Sequence, residues 1–500
     1  MITIQNQIVK KQPNFWSHCL FHPTDAVEDP WGKRILDRMA ADHSIRTVRI
    51  YAMLEDIVYR DGEGNLQYDF RLNDLRLDYL VSCGYDLLIA YTAMPECIAS
   101  NPHSQTSHSK NKTRYKGKMF NTSAPSDYAL WEEVCYQYTK HLVERYGLER
   151  VCGWHLHCWN EPDLDGFLLW EYRGATPENQ QKRLETYCKM YESFAHALDR
   201  VSEKLRIGGP ALAMRIKFLD GFLRFVKERN LHLDYIALHN YGTHPQELHD
   251  GIDRLTVANN IRNQTEYMQV INDCGFGDRE IIVDEWGACS HGYANMEEAP
   301  ELIFRETEVF SAYYAKLIHE IIRSGFPISQ MEICLSGQHE MTEDFSGFRN
   351  FFTLHFIAKP IYNAYILASR LHENLLAATG VGENTYVVPT GNGAGAYSIL
   401  LSHSSEYFEE NLPDCTETVA FEAPIEGKTV TVYCIDRNTT NPYRLAMRKQ
   451  IGKNPTEEEI RELREEGKLK PVQQFVATPE KNKVHLTLTP NSTFLITISE

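Results

Sequence analysis

Gly153-Trp154-His155-Leu156-His157-Cys158-Trp159-Asn160-Glu161-Pro162 is an apolar strand pattern that ends in Trp159-Asn160-Glu161-Pro162, where a loop begins. A second run of the same build, Ile281-Ile282-Val283, closes on Asp284-Glu285-Trp286-Gly287. Outward from these two, more short apolar runs mark strands: Thr47 to Tyr51, Asp86 to Tyr91, Arg206 to Pro210, Tyr235 to His239 and Gln330 to Cys334. With Phe15 to Phe21 as the first, the runs number eight. Between them lie stretches such as Tyr128 to Arg145 and Gln180 to Lys204, whose apolar residues recur at three- and four-residue intervals, the period of an amphipathic helix. Repeated strand-helix units bury a parallel sheet, and eight of them predict closure into a barrel.

The predicted fold class is therefore α/β, a (β/α)8 TIM barrel over residues 14–370 with a C-terminal antiparallel β-sandwich domain. Beyond about Leu371 the pattern shortens to alternating runs, among them Ala396 to Leu401, Thr429 to Tyr433 and Val484 to Thr489, separated by turn residues. We assign residues 1–13 and 371–500 to that second domain. A charged segment near 455–468 interrupts it, with a capping residue at Thr456 and glutamates in the first turn, and reads as a surface helix.

In a TIM barrel the carboxyl ends of the strands carry the active site, so Glu161 and Glu285 share one rim. Glycoside hydrolysis with retention needs two such carboxyls: one protonates the leaving oxygen and the other attacks the anomeric carbon, about 5–5.5 Å away. Asn160 is placed to hydrogen-bond a sugar hydroxyl, and Trp286 is expected to present a ring face to the sugar.

Composition narrows the partners. The chain has 51 basic and 68 acidic residues, a net charge of −17, which disfavours nucleic acid and anionic membrane surfaces. No stretch approaches the roughly 20 apolar residues that span a bilayer. Twelve cysteines lie scattered without a CxxC pair, and the opening residues lack the apolar run of a secretory signal. The expectation is a cytoplasmic protein. His155, His157 and Cys158 bring zinc-type ligand chemistry to mind, but no third or fourth ligand can be placed, so neither metal nor other cofactor is expected. His157 reads instead as an inward polar residue supporting Glu161. The polar segment 101–126 is basic, with His103, His108, Lys110, Lys112, Arg114, Lys116 and Lys118. It reads as a solvated or subunit-contacting loop, or as one that favours an acidic sugar over the rim. Trp154 and Trp170 read as core, with sugar stacking as the alternative.

At these residues the chain resembles clan A glycoside hydrolases, and within them glycoside hydrolase family 39, which holds bacterial β-xylosidases and α-L-iduronidases. The likeness runs nearly end to end. It includes Arg49 with Glu55-Asp56, Met94-Pro95, Arg145-Tyr146-Gly147, Gly208-Gly209-Pro210, Asp234-Tyr235-Ile236 with His239 and Tyr241, and Lys359 to Ala364. The resemblance implies Glu161 as acid/base and Glu285 as nucleophile, retention of configuration, no metal, and frequently a homo-oligomer. It implies that His239 and Tyr241 line the sugar site, a tyrosine hydroxyl orienting the nucleophile. Tyr51 stands where the bacterial xylosidases carry histidine, His157 where they carry glutamate, and Cys334 to Glu340, with Gln338, replaces their tryptophan-led loop. We take Arg49, Tyr51, His157 and Gln338 with Asn160, His239, Tyr241 and Trp286 as the substrate-binding set. An unpaired buried polar group costs about 1–3 kcal/mol, so such replacements alter which hydroxyl pattern is accepted. The expected activity is that of a retaining exo-glycoside hydrolase on short oligosaccharides or glycosides, β-xylosidase-like with altered sugar specificity. The alternatives are a uronidase or arabinosidase of the same family, or a non-catalytic carbohydrate-binding barrel.

Overall fold

The computed structural model describes residues 1–21, 28–106, 119–290, 294–335, 341 and 343–499. Strand β1 (Ile2–Lys11) precedes eight barrel strands: β2 (His18–Phe21), β3 (Thr47–Tyr51), β4 (Asp86–Tyr91), β5 (His155–Cys158), β6 (Ile207–Leu212), β7 (Tyr235–Thr243), β8 (Glu280–Cys289) and β9 (Ile328–Leu335). They pair in chain order, all parallel, and close β9 onto β2 through Glu332 beside His18 and Leu335 beside Phe21. Helices such as Tyr128–Tyr146, Pro177–Val201 and Glu308–Ser324 lie between successive strands.

The first strand starts later than its apolar pattern suggests. The Asn14 side chain accepts from the backbone of Trp16 and Ser17, each at 3.1 Å, and that turn holds the chain out of the sheet until His18. The Gly208-Gly209-Pro210 run has a packing cause. A Cβ on Gly208 would stand 2.5 Å from the Tyr235 ring, and one on Gly209 2.5 Å from the Tyr187 hydroxyl, so large rings occupy the space these residues leave.

The C-terminal strands are β10 (Asn374–Thr379), β11 (Thr385–Gly391), β12 (Tyr397–His403), β13 (Cys415–Phe421), β14 (Thr429–Ile435), β15 (Pro471–Val476), β16 (Val484–Leu488) and β17 (Ser492–Ser499). With β1 they form one nine-stranded sheet ordered β15-β14-β17-β12-β11-β10-β1-β13-β16. Its pairs are antiparallel except β1 with β13, where Ile2 to Ile4 run parallel to Val419 to Phe421. Alternation splits its side chains between two cores. Leu400 and Leu495 join the barrel's hydrophobic core, while their neighbours Ile399, Leu401, Phe494 and Ile496 pack within the sheet's own. The charged segment forms the helix Glu457–Glu466, opened by a capping box of Thr456 with Glu459. Among the described residues no helix is long and apolar enough to cross a membrane.

Candidate active site

A bulge in β8 decides the site. Pairing with β7 runs Leu238 beside Val283 and then His239 beside Glu285, so Asp284 is an extra residue. With Ile282 inside the barrel, strict alternation would turn Asp284 inward and Glu285 outward. The extra residue instead lets Asp284 and Glu285 both reach the barrel interior, a use of bulges common beside active sites. Glu161 follows β5, three strands away in the barrel, with a positive φ of 44°, a conformation costing a non-glycine residue about 1–3 kcal/mol. Its N–H donates to Ala211 O at 3.0 Å, locking the strained turn to the end of β6.

Arg49 and His239 gather the carboxylates. Arg49 is fully buried; Nη1 donates to Glu285 Oε1 at 2.7 Å, and Nη2 donates to Asn160 Oδ1 at 2.6 Å and lies 3.0 Å from Asp284 Oδ2. His239 Nδ1 lies 2.9 Å from Glu161 Oε1, and its Nε2 lies 3.7 Å from both Asp284 Oδ1 and Glu285 Oε1. Tyr241 donates its hydroxyl to Glu285 Oε2 at 2.8 Å. One carboxylate oxygen of Glu161 thus lies within 4.8 Å of one of Glu285.

The surroundings push the two glutamates in opposite directions. Burial pushes the Glu161 carboxyl above its ordinary value, and contact with His239 only partly opposes this. Burial also acts to raise Glu285, but His239, Arg49 and Arg349 with the Tyr241 hydrogen bond outweigh it and hold Glu285 low. Against burial, Glu285 and Asp284 raise His239 to about 10. Asp284, opposed by burial but facing Arg49 and His239, falls to about 2. Glu161, His239 and Glu285 each bring a potential metal-ligand atom within 4.8 Å of the others. With His239 protonated its nitrogens donate rather than offer lone pairs, and Arg49 faces the same carboxylate, so the arrangement suits proton and sugar chemistry better than a cation.

Several expected substrate contacts are placed elsewhere. Trp286 points to the helix side of β8, where its indole donates to the Tyr365 hydroxyl at 3.1 Å and stacks on Tyr314. It presents no ring to a sugar. His157 is wholly buried beneath the rim, 3.5 Å from Arg49 Nε and 3.6 Å from Asp284; like Arg49 itself, it acts on the carboxylates from below. Burial lowers His157 to about 3, helped by Arg49, so it is neutral there. Tyr51 stands at the mouth of the barrel beside Cys334, Phe120 and Tyr241. Asn160, next to Glu161, is only 2% exposed. Gln338 lies outside the described residues, as do 107–118 of the basic loop. That loop's stems meet the loop after Glu161, with Thr106 Oγ1 donating to Gly166 O at 2.9 Å and Leu169 N to Thr122 O at 2.7 Å. His155 sits lower in the barrel against Tyr235, and Trp154 packs on Tyr146 in the core.

Two neighbours of the site escaped the sequence reading. Asp163 is fully buried and accepts from the N–H groups of Ala213, Met214 and Arg215 at 2.9, 3.0 and 3.0 Å, tying the Glu161 loop to the next helix start. Arg349, in the irregular segment after β9, donates to the Tyr241 hydroxyl at 2.8 Å. Asp163 closely follows Asn160-Glu161-Pro162 and was findable there. Arg349 lies in no periodic pattern.

The model of the glycosyl hydrolases family 39 matches residues 2–485. The chain belongs to glycosyl hydrolase family 39. As a family 39 member it is 29% identical over 234 residues to a β-xylosidase of Caldicellulosiruptor saccharolyticus, covering 46% of this chain and 43% of that protein. It is 28% identical over 124 residues to the human α-L-iduronidase, covering 22% of this chain and 18% of that protein. These alignments span less than half the length of either curated relative. In fold, the family 39 chain superposes on a monomeric β-xylosidase from Caulobacter crescentus CB15 with a TM-score of 0.83 at 18% identity, over 100% of this chain and 99% of that one.

Proposed function

We propose that this protein is a retaining glycoside hydrolase working by double displacement, with Glu161 as acid/base and Glu285 as nucleophile. The observation that carries the reading is the approach of their oxygens to within 4.8 Å. Retaining sites hold the two carboxyls about 5–5.5 Å apart, and inverting sites leave about 6.5–9.5 Å for a water. Glu161, kept protonated by burial, gives its proton to the leaving oxygen while ionised Glu285 attacks the anomeric carbon. Water then attacks the same carbon, Glu161 takes the water's proton, and Glu285 leaves as a carboxylate.

The reading extends to an exo-acting enzyme on short oligosaccharides or glycosides, β-xylosidase-like with altered sugar specificity. The names of its relatives support the class, and Tyr51 at the mouth of the site supports the alteration. Residues 14–370 form its catalytic barrel in this view, with 1–13 and 371–500 as the sandwich. Twelve free thiols suit a reducing, cytoplasmic setting.

The test is a panel of activated aryl glycosides (xyloside, arabinoside, galactoside, glucoside and uronides) with the wild type and Glu285→Ala. Turnover of at least one by the wild type, lost in the variant, is expected. No turnover of any would favour a carbohydrate-binding barrel, and full activity in Glu285→Ala would remove the nucleophile assignment.

A further inference from the structure

Three buried charged side chains converge on a pair of residues with no chemistry of their own. Glu306 Oε1 accepts from Gly347 N at 2.7 Å; Arg305 Nη1 donates to Gly347 O at 3.0 Å; Lys359 Nζ donates to Phe348 O at 3.1 Å and pairs with Glu306 at 2.6 Å. Arg305, Glu306 and Lys359 are each at most 2% exposed. Taking ions out of water costs several kcal/mol apiece unless partners satisfy them, so this segment is fixed at considerable expense in desolvation. Gly347 is itself left-handed, at φ 81°, and a Cβ there would stand 2.7 Å from Met296. What all this anchoring positions is the next side chain, Arg349.

Arg349 Nη1 donates to the Tyr241 hydroxyl at 2.8 Å, and that hydroxyl lies 2.8 Å from Glu285 Oε2. A guanidinium has donors only, so the phenol oxygen must accept from it. The phenol has one proton, and with its oxygen occupied by Arg349 that proton goes to Glu285. Burial pushes Tyr241 well above the ordinary phenol value, so the proton stays on the tyrosine. Gly287 completes the relay by letting the ring approach: a Cβ there would stand 3.0 Å from Tyr241.

We propose that Arg349 is a positioning residue for the second displacement, acting through Tyr241 to favour departure of Glu285 as a carboxylate. The proposal rests on the retaining reading above. As water attacks the anomeric carbon, the bond from that carbon to the Glu285 oxygen breaks and its electron pair returns to the carboxylate, while Glu161 accepts the water's proton. A donor already aimed at the Glu285 carboxylate stabilises the charge as it appears, without reorganisation. Glu285 also faces Arg49 and Tyr51 from β3, His239 from β7, Asp284 on its own strand, Cys334 from β9 and Glu161. Arg49 holds Oε1, which leaves the Arg349–Tyr241 arm as the support for Oε2.

The test compares Arg349→Met, Arg349→Lys, Tyr241→Phe and the Arg349→Met/Tyr241→Phe pair, using an aryl glycoside that the wild type turns over and whose leaving group makes the first step fast. Arg349→Met is expected to lower kcat about tenfold with KM falling alongside, because the glycosyl-enzyme accumulates. Its acid limb in kcat/KM should move up by about one pH unit, the lower range for loss of a neighbouring opposite charge. Arg349→Lys should recover part of both effects. In the Tyr241→Phe background, Arg349→Met should change kcat less than about twofold, as expected of groups acting as one unit. An unmoved acid limb, or the same tenfold loss without the tyrosine hydroxyl, would overturn the proposal. If Glu285→Ala is inactive while Arg349→Met behaves as wild type, this inference alone fails. If the wild type cleaves no glycoside, both readings fall.

Discussion

Tyr241 places its hydroxyl 2.8 Å from Glu285 Oε2, the oxygen opposite the one that Arg49 holds at 2.7 Å. Each carboxylate oxygen therefore has its own donor. A hydrogen bond to a charged group contributes about 1.5–3 kcal/mol, so Tyr241→Phe should lower kcat roughly 10–100-fold. Steady-state kinetics on the best aryl glycoside, with a thermal melt to show retained folding, checks this. A loss below about threefold would mean that the hydroxyl has no part in the chemistry.

Burial raises Glu161 while the surrounding cations depress Glu285, so the pH profile of kcat/KM should be a bell. Activity is lost on the acid side as Glu285 takes up a proton, and on the basic side as Glu161 gives its proton up. The basic limb should lie above the ordinary glutamate value and disappear in Glu161→Ala, whose residual activity on activated substrates should rise with added azide. A basic limb that persists in the variant would assign it to another group.

Asp284 answers two buried cations, Arg49 at 3.0 Å and His239 at 3.7 Å. Removing one partner of a buried pair typically costs about 3–5 kcal/mol, and Asp284→Ala should lose that much in denaturant unfolding near neutral pH. The folded value of Asp284, about 2, lies below its unfolded value of about 3.9. Its contribution is therefore complete above pH 4 and is lost as pH falls through 2. Stability measured from pH 4 to pH 2 should fall less steeply in the variant than in the wild type. Equal slopes would contradict the pairing.

The Tyr241 ring lies against Gly287, where a Cβ would come to 3.0 Å of it. Gly287→Ala should displace the hydroxyl from Glu285 and lower kcat about tenfold or more, since small misplacements of catalytic groups are costly, with little change in melting temperature. Unchanged kcat would show that the ring yields without moving its hydroxyl.

The barrel was legible because each of its strands has an apolar run and its helices keep their period. Thr47–Tyr51 and Asp86–Tyr91 match the expected runs residue for residue. That Glu161 and Glu285 meet at one place was legible because both close apolar strands at the same end of the barrel. Alternation from Ile282 places Asp284 inward, and the bulge in β8, which no local pattern announces, turns Glu285 in beside it. The same bulge makes Trp286 a core residue. It was read as a sugar platform because it adjoins Glu285, whereas the strand turns it toward Tyr314 and Tyr365. His157 is fully buried, and its reach to Arg49 depends on how β3 and β5 sit on either side of β4, which a single run does not specify. Arg349 sits on irregular chain held by Arg305, Glu306 and Lys359, long-range contacts that leave no local pattern.

Retention with Glu285 as nucleophile is tested most directly by trapping. The aryl glycoside that the wild type cleaves is remade with fluorine at C2 and an activated leaving group, and the inactivated protein is measured intact and as peptides by mass spectrometry. The expected result is one added fluorosugar per chain on the peptide that contains Glu285, with none on Glu285→Ala. A label on another residue, or first-formed product of inverted configuration by NMR, would contradict it.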